Sequence, residues 1–244
     1  MGGNRGQVMR AAETVLQSKT LRMSLLLAAA ALVLVWIAAV SGIDRALLRS
    51  LAWPEKHPRS DLLMLLRVWG SLWTWGLIAL AISLQSRQRP PGRSWIRRVT
   101  GLRLLVTPLL AGALAELLKL LVRRQRPSEL ESYVFRAWIE QPWSTKGLGL
   151  PSSHTAVAFA GSMALALRYP RLAIPSLMLA IGCGYTRVAS GSHYPSDVLA
   201  GAVVGLVTAL LVAAPGGTDR QAAPTAGPRS GRNQGGTDPG LELR

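Results

Sequence analysis

The sequence predicts an all-α integral membrane bundle of six transmembrane helices with a polar site at one membrane surface. Three observations carry that prediction. Of 244 residues, 49% are hydrophobic and only 16% charged, a balance too apolar for an ordinary soluble domain. The apolar residues come in blocks near the about 20 residues that a spanning helix requires. Arg, His and Asp then gather in the short segments between blocks, where lipid gives way to water.

Taken in order, the predicted helices cover 23–43, 62–84, 101–122, 154–169, 172–189 and 197–214. Each is rich in Leu, Ala, Val and Ile, and in lipid only a helix satisfies every backbone polar group of a single segment. The first follows Arg10, Lys19 and Arg22, a basic lead-in that a secretory signal also has. Its apolar core exceeds the roughly 7–15 residues of a cleaved signal, so it reads as a retained helix. Residues 1–22 therefore form a cytoplasmic N-terminal segment and 23–214 the membrane domain. Residues 215–244, dominated by Gly, Pro and polar groups, are expected to be a disordered cytoplasmic tail.

A net charge of +16 invites a nucleic-acid reading. The distribution argues against it, because fifteen of the basic residues lie in the segments that an N-in, C-in arrangement places in the cytoplasm. That orientation leaves loops 44–61, 123–152 and 190–196 on the outer face, the periplasm in a Gram-negative inner membrane. The single Cys183, inside an apolar run, reads as packing.

The chemistry lies in three outer clusters: "KLLVRRQRP" at 119–127, "PSSH" at 151–154 and "TRVASGSHYPSD" at 186–197. Lys119 and Arg126 are seven residues apart, two turns on one face if the helix runs on to Pro127. They suit a phosphate, Arg by a bidentate fork and Lys as a point charge. The plainer reading pairs Lys119 with Glu116 and lets the arginines, Arg123 and Arg124 above all, snorkel to the interface. Ser152 or Ser153 caps the next helix, whose N-terminus favours an anion and carries His154 in its first turn. His193 and Asp197 stand four apart, so a carboxylate can fix the imidazole's tautomer and raise the basicity of its other nitrogen. Arg187 ends the preceding helix beside the same loop.

Two His and an Asp also suggest a metal. Lys119, Arg126 and Arg187 outweigh Asp197, however, and such a site repels a divalent cation and draws a dianion. No cofactor is expected.

At these residues the chain resembles the type 2 phosphatidic acid phosphatase superfamily, which includes membrane lipid phosphatases and vanadium haloperoxidases. Its signature is a Lys separated by six residues from Arg-Pro, then Pro-Ser-Gly-His, then Ser-Arg followed by His and Asp. All three parts occur in order between 119 and 197. The resemblance implies a metal-independent lipid phosphatase forming a phosphohistidine. It implies His193 as nucleophile, Asp197 as its orienting carboxylate and His154 as general acid, then base. Lys119, Arg126, Ser152, Ser153 and Arg187 match the phosphate-binding set. Ser153 replaces the family's Gly and Thr186 its Ser.

The partners expected are membrane lipids and a lipid phosphate: undecaprenyl diphosphate, phosphatidate or phosphatidylglycerol phosphate, or lipid A. A lipid phosphotransferase using the same intermediate, or a non-catalytic binder or transporter of anionic lipid, are the alternatives. Tyr133, Phe135, Trp138 and Trp143 make 128–150 an interfacial segment, covering the site or only anchoring the chain. Arg67 lines a head-group pocket or snorkels, and His57 reads as a solvated loop residue.

Overall fold

A computed structural model of the chain describes residues 19, 22–31, 33–38, 41–53, 61–85, 91–128 and 134–213, with backbone alone at 91–98. The expectations for residues 1–18, His57, Tyr133 and the 215–244 tail lie outside these. The described elements are helices: α1 (Arg22–Ala38), α2 (Ile43–Leu51), α3 (Asp61–Val68), α4 (Leu72–Leu84), α5 (Pro91–Val122), α6 (Ser153–Arg168), α7 (Ala173–Ala189) and α8 (Pro195–Ala213). The only pairing of extended backbone among the described residues is two isolated bridges, Arg124 with Phe135 and Gln125 with Leu148.

Among the described residues, three helical stretches are long and apolar enough to cross a membrane: Val99–Val122, Pro170–Ala189 and Pro195–Val212. Two bent pairs raise the number to five, α1 with α2 at 83° and α3 with α4 at 72°. The predicted single helix over 62–84 is therefore corrected to two. The break falls at Trp69–Ser71, where the Ser71 hydroxyl caps α4 by accepting from Trp73 N at 3.2 Å. Gly70 in that break lies against α6: a Cβ there would sit 2.7 Å from the His154 carbonyl oxygen. The expected outer loop 44–61 is likewise corrected, because nearly half of it, through Leu51, is α2.

Helix α6 is the centre of the bundle, buried among α4, α5, α7 and α8. Its sixteen residues rise about 24 Å at 1.5 Å each. It tolerates being short because neighbouring helices surround it. Small residues let those neighbours approach. Ala111 and Ala115 of α5 meet Ala156 and Ala160, and Gly201 and Gly205 of α8 bring that backbone against the Ser152 and Ala156 carbonyls. In lipid, where burial of apolar surface adds little between helices, such close van der Waals contact is the main source of association. Large apolar side chains point outward instead, among them Leu102, Leu117, Ile174 and Met178.

Candidate active site

The polar clusters meet at one end of the bundle. Helix α5 stops at Val122, five residues before Pro127, because Arg123 takes the left-handed conformation with φ 60°. This placement favours Gly. Here the arginine is held by its own side chain: the buried guanidinium donates to the carbonyls of Arg136, Ala137, Glu140 and Pro142 and stacks on Trp138. Lys119 and Arg126 thus do not share a helical face, since Arg126 lies beyond the end of α5 in irregular backbone.

Arg123 and Arg124, assigned above to the interface, are 1% and 2% exposed. That expectation is corrected. Helix termination turns both guanidinium groups inward, and each finds acceptors there. Arg124 Nη2 donates to the Ser196 hydroxyl at 2.8 Å and to Asp197 Oδ1, and its guanidinium lies over the Tyr194 ring.

Lys119 answers both readings at once. Its buried ammonium pairs with Glu116 Oε1 at 2.6 Å and donates to Ser153 Oγ at 2.9 Å. Ser153 begins α6 and is not among the residues of positive φ, so a side chain in place of the family's Gly causes no backbone strain. Ser152 is turned inward: its hydroxyl accepts from Thr155 at 3.0 Å and its N–H donates to the Asp197 carbonyl at 2.9 Å. It locks the start of α6 to the start of α8. His154, in the first turn, feels the fields of Arg187, Arg67, His193 and Lys119. It opens onto a cavity of about 530 Å³ lined by Trp73, Leu109 and Val157 together with Glu116 and Ser153.

The turn between α7 and α8 presents His193. Gly191 at φ 65° reverses the chain, a conformation that costs Gly nothing. The His193 N–H then donates to the Arg187 carbonyl at 3.1 Å. His193 Nδ1 stands 3.5 Å from Asp197 Oδ2, while the Tyr194 N–H donates to the same oxygen at 2.9 Å. Nδ1 faces the carboxylate, so Nε2 is the nitrogen left for other chemistry. His193 is 2% exposed, and burial holds its imidazole below the usual range although Asp197 pulls it upward; Arg187 and Arg126 add to the lowering. Arg187 is buried, and its Nε has no hydrogen-bond partner among the described residues. Thr186 Oγ1 bonds back to the Cys183 carbonyl at 2.7 Å, which a serine hydroxyl also does. Cys183 is buried and free, in keeping with a packing role.

Sequence reasoning missed four contributors: Arg124, Ser196, Asp44 and Gly149. Gly149 lies so close that a Cβ would meet Asp197 Oδ2 at 2.8 Å. Asp44, fully buried, accepts from the Ser196 N–H at 2.8 Å and from the Ser196 hydroxyl. The one available signal was its rarity, a carboxylate directly after a membrane-length apolar run.

Fold and site together define a helical integral membrane protein with an anion-attracting, two-histidine cluster at one end of the bundle. The chain belongs to the PAP2 superfamily. That family's model matches residues 100–217, and decaprenylphosphoryl-5-phosphoribose phosphatase of Mycobacterium tuberculosis is 34% identical over 154 residues, 61% of this chain and 75% of that one. Lipid A 1-phosphatase of Rhizobium johnstonii is 37% identical over 120 residues, 49% of this chain and 48% of its own. Lipid A 1-phosphatase of Rhizobium etli is 36% identical over 124 residues, 49% and 52% respectively; the chain spans about half the length of these two relatives. Among solved structures, the transmembrane PAP2 type phosphatidylglycerolphosphate phosphatase of Bacillus subtilis aligns with a TM-score of 0.56 at 21% identity, over 80% of this chain and 93% of that one. This is a likeness of fold.

Proposed function

We propose that the chain is a metal-independent membrane lipid phosphatase that hydrolyses a phosphomonoester or diphosphate on a lipid through a phosphohistidine. One observation carries the reading. His193, whose Nδ1 stands 3.5 Å from Asp197, feels the fields of Arg187 and Arg126, and His154 feels those of His193, Arg187 and Lys119.

Lys119, Arg126, Arg187 and the first-turn N–H groups of α6 hold the phosphate oxygens. Arg187 Nε, buried without a partner, gains one when a phosphate enters. His193 Nε2 attacks phosphorus in line, and the bond from phosphorus to the leaving oxygen breaks as His154 gives that oxygen a proton. Water then attacks the phosphohistidine. His154 takes the water's proton, the P–N bond returns its electron pair to His193, and free phosphate leaves. Fixed cations supply the equatorial charge stabilisation that phosphoryl transfer needs.

A lipid substrate is favoured by the cavity at His154, whose lining combines apolar Trp73, Leu109 and Val157 with polar Glu116 and Ser153. The relatives are named for lipid A and for a decaprenylphosphoryl phosphoribose; undecaprenyl diphosphate and phosphatidylglycerol phosphate likewise carry a terminal phosphoryl group on a lipid. We infer six membrane crossings, with the sixteen-residue α6 added to the five candidate spans α1–α2, α3–α4, α5, α7 and α8. Arg168 ends α6 at the end opposite Ser153 and bonds Thr100 near the start of the α5 span. A cation at that end supports a cytoplasmic placement there and, with it, the reading of a site on the outer face of an inner membrane.

The test is phosphate release from detergent-solubilised protein with phosphatidate, undecaprenyl diphosphate and lipid A, in EDTA. Release by wild type and its loss in folded His193→Ala is the expected result. Activity abolished by EDTA overturns the metal-independent mechanism, and full activity in His193→Ala overturns the nucleophile.

A further inference from the structure

Behind the histidine and its carboxylate lies a third layer that the family signature does not contain. Asp44 comes from α2, outside the residues 100–217 that the family model matches. Its two oxygens receive the N–H and the hydroxyl of Ser196, the residue preceding Asp197. Its Oδ2 also stands 3.6 Å from Arg124 Nη1. Arg124 Nη2 in turn holds Ser196 Oγ and Asp197 Oδ1, leaving Oδ2 toward His193. Asp44 and Asp197 are fully buried and Arg124 nearly so. Two buried carboxylates thus share one guanidinium, and the geometry of each depends on the other.

We propose that Asp44 and Arg124 are positioning residues that set the Asp197 carboxylate, and through it the His193 imidazole, for attack. The assignment rests on the phosphatase reading above. Asp44 restrains Arg124 and pins the first turn of α8 through Ser196. Arg124 occupies Oδ1, so that Oδ2 alone is presented to the ring. Without Asp44 the guanidinium is free to move fully onto Asp197, which turns the carboxylate away from Nδ1 and removes the push on Nε2. The titratable and charged groups facing His193 and Asp197 are His154, Arg187, Arg126, Arg124, Tyr194 and Asp44, and Asp44 reaches the ring only through Ser196, Arg124 and Asp197.

The experiment is a double-mutant cycle on lipid phosphate hydrolysis, with folding checked by thermal melting in detergent. Asp44→Asn is expected to lower kcat about 10-fold, as loss of an outer orienting partner does, with KM within about 3-fold. In an Asp197→Asn background the same substitution is expected to cost nothing further, because the path runs through Asp197. A folded Asp44→Asn with wild-type kcat, or losses that simply multiply in the double variant, overturns the assignment. Should Asp44→Asn fail to fold, Ser196→Ala, which removes the hydroxyl shared by Asp44 and Arg124 and retains both charges, goes through the same cycle with the same two outcomes. A wild type that releases no phosphate from any lipid overturns the phosphatase reading and this assignment with it; an active wild type with an unaffected variant overturns this assignment alone.

Discussion

Lys119 Nζ and Ser153 Oγ, 34 residues apart in sequence, stand 2.9 Å apart and join the C-terminal end of α5 to the first residue of α6. The hydroxyl exists only because this chain has Ser where the signature it resembles has Gly. It takes up a donor of an ammonium that is otherwise directed at Glu116. Ser153→Gly releases that donor, and a hydrogen bond of about 1 kcal/mol net is worth roughly a 5-fold change in binding. The expected outcome is a KM lowered by about that factor, with kcat little altered, measured on one lipid phosphate at fixed detergent-to-lipid ratio.

His154 is assigned the proton of the leaving oxygen, and its loss should therefore depend on what leaves. His154→Ala is expected to reduce hydrolysis of an alkyl lipid phosphate by about 100-fold or more. An aryl phosphate, whose phenolate leaves without a proton, should suffer less in the formation of the phosphoenzyme. Comparing single-turnover rates on the two substrates checks this; equal losses in that step would remove His154 from the acid's role.

Burial keeps His193 below the ordinary imidazole value of 6.5, and this residue lies in the turn outside the spanning helices. The proposed nucleophile is therefore mainly neutral at pH 7, and the acid limb that it contributes to kcat/KM falls below pH 6.5. The linkage has the same sign. A pKa depressed by folding means that the unfolded chain binds the proton more tightly, so this contribution is whole above the unfolded value and is lost as pH falls through the folded one. Asp197→Asn removes the group that raises His193 and should move the limb further toward acid. A pH profile of each protein on one substrate decides it.

Gly149→Ala places a methyl group 2.8 Å from Asp197 Oδ2. The carboxylate is held by Arg124 and by the Tyr194 N–H, so either it or the 147–149 backbone moves. The expected result is a kcat lowered about 10-fold or more, as small displacements of a catalytic geometry produce, with the melting temperature reduced by only a few degrees. Phosphate release and thermal melting on the same preparation measure both.

Much of the bundle was legible because membrane residence is a composition constraint: a lipid-facing helix needs about 20 apolar residues, and Leu, Ala and Val in blocks announce it. Breaks inside those blocks were not. Nothing apolar marks Trp69–Ser71 as a bend, since Gly70 matters through its contact with the His154 backbone, a neighbour 84 positions along the chain. Arg124 shows the same limit in the site. Read alone, an arginine near a helix end has water within reach of its long side chain, and snorkelling is the economical expectation. Its burial follows from the left-handed turn at Arg123, which lies in no residue preference of Arg itself.

By itself, then, the sequence determined the class of protein, the three polar clusters and the identity of the histidines, carboxylate and cations within them. Those are matters of residue type and spacing, and the His193–Asp197 pair is local enough to be set by one turn and the start of one helix. Only the tertiary structure decided which cations face the cluster, that Ser152 ties α6 to α8, and that Asp44 lies behind Arg124 and Ser196. These depend on where separate helices end against one another, and the energy that places them, packing of small residues and pairing of buried charge, is a property of the whole bundle.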